Sequence, residues 1–308
     1  MAERSTNVYA LDDLLSPRAK EALRHLELFA RRTVEGLLHG AHRSKRKGSG
    51  DEFDHHKDYQ PGDPLKHVDW KVSARHDRYY VKRYLEETAL SVRIVVDRSA
   101  SMLQATGDLP SKYLQTARVA ASLAYLVLRQ GDAVGAVVTS ATETLWLPVQ
   151  SVPTHLVAIL RALVSGEPVA QDNLQTCLKT ILDRAEKKGI IAVISDMMYD
   201  PAPVQREIGR LQAQGHEVVL FQLRDPTEED FPFNRWVQFH DLENPSVRHR
   251  LDAAILKRIY RDEYQQVLEG WRAWAKKYNI HFISFRTEEH VESVLSQYLA
   301  FRSEIFGK

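Results

Sequence analysis

The chain predicts an α/β fold, a mostly parallel sheet with helices on both faces, and three observations carry that prediction. From Ser91 onward, short apolar runs alternate with longer segments of helical period, the signature of successive βα units. The runs at 92–97 and 189–195 are predominantly apolar along their length rather than alternating, as strands covered on both faces are. Two of the helical segments stop at a glycine, Gly131 and Gly215, the residue that ends a helix without strain.

In order, residues 14–38 read as one or two amphipathic helices, with Leu23, Leu26, Phe29 and Ala30 at helical spacing. A polar segment, 39–50, carries a basic cluster at Arg43, Lys45, Arg46 and Lys47. Residues 51–78 are rich in His, Asp, Pro and Gly and include Gln60-Pro61-Gly62-Asp63, a turn sequence. Residues 79–84 read as a strand. Strand 92–97 leads to helix 112–129, and strands 133–139 and 143–148 form a hairpin across Ser140-Ala141-Thr142. Helices at 153–164 and 173–187 follow. Strand 189–195 precedes helix 202–214, and strand 216–223 leads through a polar stretch to a strand at 236–240. A long helix over 251–277, a strand at 280–285 and a helix at 290–303 come last. No internal repeat or low-complexity tract interrupts the series.

At 308 residues the chain suits one large domain or two modest ones. Its 44% hydrophobic and 27% charged residues are those of an ordinary globular protein. The net charge of +1 hides no asymmetry: residues 1–90 carry 17 Lys/Arg against 15 Asp/Glu, and the remainder 25 against 26. Binding nucleic acid by broad phosphate neutralisation is therefore not expected. Cys177 stands alone, which excludes an internal disulfide framework and a cysteine-based zinc site. The first dozen residues mix acids and bases without an apolar core, so no signal peptide is expected. The longest uncharged apolar run, 119–128, is about half of a membrane span. A cytoplasmic location without a membrane span is the expectation.

The most informative motif closes the first strand of the alternating region, where Asp97 is followed by Ser99 and Ser101. Open α/β sheets place ligands at this carboxyl end. One carboxylate and two hydroxyls supply only oxygen donors, which suit a hard cation such as Mg²⁺. The set is incomplete and needs further ligands. Its plain alternative is a capped turn, because Ser and Asp favour such positions.

Upstream, Gly50-Asp51-Glu52-Phe53, Tyr59-Gln60-Pro61-Gly62-Asp63, His67-Val68-Asp69-Trp70, Ser73-Ala74-Arg75 and Tyr80-Val81-Lys82 run through Glu86-Glu87 into the Asp97 motif. In order and spacing this segment resembles the bacterial and archaeal domain-of-unknown-function family 58, which contains a von Willebrand factor A-like domain. The resemblance implies a doubly wound, Rossmann-type sheet over 91–308 with a metal-ion-dependent adhesion site at its top. It also implies that residues 1–90, the N-terminal helices and the family segment, form an extension packed on that domain. Asp97, Ser99 and Ser101 match the site's first loop, and Asp196 in Ile194-Ser195-Asp196 matches its third. In the second loop the family's Gly-Thr-Asp-Leu is replaced by Gln171-Asp172-Asn173-Leu174. Asp172 would substitute as an oxygen ligand, or Thr176 would reach in from one turn further on; otherwise the site is degenerate. The implied cofactor is Mg²⁺, with Mn²⁺ or Ca²⁺ as substitutes. The implied partner is a MoxR-type AAA+ ATPase, with which such proteins are thought to assemble or activate others.

Several residues have plainer readings. Asp196 also suits a helix start before Pro201, and Asp172 an ordinary N-cap. His55, His56, His67 and His76 match no common zinc spacing and read as solvated loop residues. The basic cluster at 43–47 reads as a solvated loop, and Trp70 and Tyr80 as packing residues. An aspartyl-phosphate hydrolase needs a second acid two residues beyond its nucleophile, where this chain has Ser99. Phosphate-binding glycine loops and the Gly-x-Ser-x-Gly elbow are absent from the sequence. The expectation is a non-enzymatic, divalent-metal-dependent protein-interaction module. A metal-free adaptor with a degenerate site is the alternative, and a metal-dependent phosphohydrolase comes third.

Overall fold

The computed structural model describes residues 53–59, 68–73, 75, 78–84, 90–139, 144–165, 174–184, 187–233, 235–240 and 248–306. The helices expected over 14–38, the basic cluster, His67, His76 and Asp172 lie outside them. The chain divides into two compact units, one within 39–89 and one that includes everything from Leu90 onward.

In the smaller unit, β1 (Phe53–Asp58) and β2 (Tyr80–Tyr84) pair antiparallel, with Asp58 opposite Tyr80. A single helical turn, Trp70–Ser73, is started by Asp69, whose carboxylate accepts from the amides of Lys71 and Val72 at 3.1 and 3.2 Å. Trp70, expected as a packing residue, is 61% exposed. The four-residue turn has no buried position, and the indole makes an edge-on contact with Tyr79, at 6.0 Å between ring centroids.

The larger unit is built on six strands: β3 (Ser91–Val96), β4 (Ala133–Val138), β5 (Leu145–Gln150), β6 (Ile190–Ser195), β7 (Glu217–Arg224) and β10 (His281–Arg286). They lie in the order β10-β7-β6-β3-β4-β5, and every pair is parallel except the edge pair β4–β5. This is the doubly wound arrangement, with the order reversing beside β3. A separate antiparallel hairpin joins β8 (Trp236–His240) to β9 (Arg248–Asp252). The long helix expected from 251 thus begins two residues later. Asp252 still belongs to β9 and caps the helix, accepting from the Ala254 amide at 3.0 Å.

Seven helices connect these strands: α1 (Lys112–Arg129), α2 (His155–Val164), α3 (Leu174–Asp183), α4 (Pro201–Ala213), α5 (Pro226–Asp230), α6 (Ala253–Lys277) and α7 (Val291–Phe306). The pleat of β3 divides the core between them. Val92, Ile94 and Val96 pack with α1, α2 and α7, while Val95 faces α3, α4 and α6. α1 is sunk so deeply that every residue from Thr116 to Val127 except Arg118 is buried, which explains its run of small and aliphatic side chains. Both expected stop signals operate. Gly131 and Gly215 have φ of 84° and 90°, a conformation that needs no Cβ. The amides that follow them, Asp132 and His216, turn back onto the Val127 and Leu211 carbonyls.

Candidate functional site

β3 and β6 lie side by side, Val96 opposite Ile194. Their helices leave toward opposite faces, α1 on one and α4 on the other. The divergence opens a crevice at the carboxyl ends of the two strands. Asp97, Ser99, Ser101 and Asp196 are all brought to this end.

Asp97 is fully buried. One carboxylate oxygen accepts from the Ser99 amide at 2.9 Å and the other from the Ser195 hydroxyl at 2.7 Å. Ser195 in turn accepts from the Met197 amide at 2.9 Å, holding Met197 at φ 60°, in the left-handed region that a long side chain seldom occupies. The Met197 carbonyl is met from behind by the buried Trp271 indole of α6 at 3.2 Å. The Ser99 and Ser101 hydroxyls lie 3.0 Å apart at the edge of the crevice. Ser195, whose hydroxyl gives its proton to Asp97, is fully buried, so the pair braces the loop from beneath.

Asp196 does not cap the helix before Pro201; Asp200 does, accepting from the Ala202 amide at 3.1 Å. The Asp196 carboxylate instead receives the Met198 amide at 3.2 Å and, at 2.7 Å, the ammonium of Lys112. Lys112 opens α1, is completely buried, and also donates to Glu228 on α5 at 2.6 Å. Burial by itself would lower the Lys112 pKa; Asp196 and Glu228 outweigh it and hold the ammonium above its ordinary range. Burial pushes Glu228 up toward the neutral acid, against the pull of Lys112. The Lys112 ammonium, 2.6 Å away, draws it back toward the carboxylate. Beside it Asp225 caps α5, accepting from the Thr227 amide at 2.9 Å and from the Thr106 hydroxyl at 2.5 Å. The loop after β3 is thus tied to the loop after β7. Of the acids at this end, Asp196 and Glu228 touch the Lys112 ammonium, while Asp97 and Asp225 are held by amides and hydroxyls. Tyr260 registers these acids, its phenol pushed up to about 12 by burial first and then by Glu228.

Arg98, between the motif's acid and its first serine, turns the other way and is buried. Its amide donates to the Thr139 hydroxyl at 2.6 Å and its Nε to the Thr139 carbonyl at 3.1 Å. Its guanidinium also reaches the Ser165 carbonyl at the end of α2, the terminus where a cation is favoured. Sequence reasoning missed Arg98, Lys112, Thr139, Asp225 and Glu228. Two had a local signal. A lysine in the first turn of an apolar helix opposes the helix dipole and implies a distant counter-charge. Asp225-Pro226 followed by Glu228 is a helix start inside what read as a polar stretch.

The residues fit a divalent cation only in part. The 3.0 Å hydroxyl separation equals the edge of an oxygen octahedron with bonds of about 2.1 Å. The carboxylates do not fit: both Asp97 oxygens accept internal hydrogen bonds, and Asp196 and Glu228 neutralise Lys112. Among the described residues no group of three or more His, Cys, Asp or Glu is arranged to hold a metal.

The chain is 29% identical over 265 residues to an uncharacterized protein of Mycobacterium tuberculosis, covering 85% of this chain and 81% of that one. Among solved structures, an aerotolerance-related membrane protein from Bacteroides fragilis is 19% identical, covering 70% of this chain and 98% of its own at a TM-score of 0.41. The VWA domain of SpRpn10 is 12% identical, covering 68% and 95% at a TM-score of 0.38. The expected cytoplasmic location is corrected: a protein to which this chain is similar is described as a membrane protein. No helix among the described residues is long and apolar enough to cross a membrane. Residues 55–273 match the family described as a protein of unknown function, DUF58, and the chain belongs to that family.

Proposed function

We propose that this protein is a non-enzymatic protein-interaction module whose docking face is the carboxyl end of the six-stranded sheet. Its partner is a MoxR-type AAA+ ATPase, as the family resemblance implies. The observation that carries the reading is the rigid convergence there of Asp97, Ser99, Ser101 and Asp196, braced from beneath by Ser195 and Trp271. Such pre-organisation favours binding, because little side-chain freedom is lost when a partner docks. In the metal-dependent form of this reading, Mg²⁺, Mn²⁺ or Ca²⁺ is held by Ser99, Ser101, Asp97 and Asp196, with Asp172 as a further oxygen ligand. The spacing of the two hydroxyls supports that form. The engagement of Asp196 and Glu228 by Lys112 supports the metal-free form, and it is the one we carry forward.

The test is binding of the purified protein to a purified MoxR-type ATPase of the same organism, followed by surface plasmon resonance with either ATP or ADP present. A Ser99→Ala, Ser101→Ala double variant is expected to weaken binding by about tenfold or more. Wild-type affinity in EDTA should equal that in Mg²⁺; a loss in EDTA would select the metal-dependent form. No binding by wild type under any of these conditions overturns the partner assignment.

A further inference from the structure

An adhesion site of this shape ordinarily needs a cation from solution, yet this one is bordered by a cation from the chain itself. We propose that the Lys112 ammonium is the resident cation of the site, covalently supplied in place of a metal, and that the site works without divalent ions. The inference rests on the metal-free form of the interaction reading and gives it a physical cause.

Three observations converge on it. First, Lys112 is completely buried, and its ammonium touches carboxylates from two different loops, Asp196 after β6 and Glu228 on α5. A long flexible side chain surrenders its rotamer freedom and its hydration to reach that place, which needs a compensating role. Second, Lys112 is the first residue of α1, where the exposed amides of the helix repel a cation. The local sequence thus gives no reason for a lysine there, and the reason is in the distant carboxylates. Third, Lys112 is the cation that Asp196 and Glu228 share. The other cations of these loops are engaged elsewhere, Arg98 with the Thr139 and Ser165 carbonyls and Arg224 with Glu229. Asp225 Oδ2 and Glu228 Oε2 are buried without a hydrogen-bond partner. Without Lys112, Asp196 and Glu228 would be two buried carboxylates with no ammonium between them, and carboxylate oxygens are what hard divalent cations bind. With it, a second cation must enter beside a fixed positive charge that already takes an oxygen of two of its ligands. Lysine and metal are alternatives for one place.

The proposal makes opposite predictions for wild type and for a variant that keeps the side-chain stem but loses the charge. Wild type, titrated with Mg²⁺ or Mn²⁺ alone by calorimetry, should give no binding heat, and its Tm should be the same in millimolar Mg²⁺ as in EDTA. Lys112→Met should have a lowered Tm in EDTA that Mg²⁺ or Mn²⁺ raises, and should bind Mn²⁺ at least about tenfold more tightly than wild type. A Lys112→Met, Asp196→Asn, Glu228→Gln triple variant removes both sides of the charge balance and should fold in EDTA with a Tm above that of Lys112→Met. The triple variant keeps the question decidable if Lys112→Met does not fold. Binding heat from wild type that Ser99→Ala abolishes would overturn the proposal. So would a folded Lys112→Met with no gain in metal affinity, or a triple variant no more stable than Lys112→Met. None of these measurements uses a partner, so their failure leaves the interaction reading standing, and failure to bind an ATPase leaves this proposal standing.

Discussion

At the residue scale, the Asp97-x-Ser99-x-Ser101 motif was legible because its three oxygen side chains are neighbours in sequence and leave a strand end together. Arg98 was not, since nothing in the letters says that the residue between two ligand-type side chains turns inward. Its position depends on Thr139, whose hydroxyl accepts from the Arg98 amide and whose carbonyl accepts from the guanidinium. Thr139→Val keeps the shape, removes the hydroxyl and leaves a buried amide unpaired. It should cost about 1–3 kcal/mol in chemical denaturation. A change below about 0.5 kcal/mol would mean that the amide finds another acceptor.

At the element scale, the longer helices among the described residues were legible because their signals are local: Gly131 and Gly215 stop two of them, and periodic apolar residues define them. The hairpin β8–β9 was half missed. Its second strand, Arg248–Asp252, holds one leucine among charged residues and a histidine, and so carries no apolar period to read. Within α4 a charge cluster sets a pH dependence. Burial by itself would raise the Glu207 pKa; its hydrogen bonds and ion pairs with Arg210, at 2.7 Å, and Arg206 outweigh burial and hold the carboxyl below its ordinary range. A carboxyl depressed in the folded state adds stability above its unfolded pKa, and that stability fades as the pH falls through the folded value. Wild type should therefore exceed Glu207→Gln in stability by more near neutral pH than at acid pH. Denaturant midpoints at the two pH values measure this, and a gap unchanged between them contradicts it.

At the scale of the whole molecule, the sheet depends on close approach between its central strands. A Cβ added at Gly189, just before β6, would lie 2.2 Å from the Ser91 carbonyl oxygen at the start of β3. Backbone cannot yield there without parting the pair on which both core layers rest. Gly189→Ala should cost about 3 kcal/mol or more, read as a lowered Tm and poorer soluble yield. A Tm within about 2 °C of wild type would show that the pair shifts without penalty.

What the sequence by itself determined is the alternation of strands and helices, the buried character of the central strands, the family, and the two loops that hold Asp97, Ser99, Ser101 and Asp196. All are carried by patterns over a few to a few dozen residues. Tertiary structure alone decided the charge of the site. Lys112 and its partners Asp196 and Glu228 are separated by 84 and 116 residues, and nothing near Lys112 in the sequence says which acids answer its charge. They become one cluster only when β3, β6 and β7 lie in the sheet and α1 and α5 start from their carboxyl ends. Burial there turns three unremarkable charges into an obligatory set, because in low dielectric an ammonium persists only beside its carboxylates.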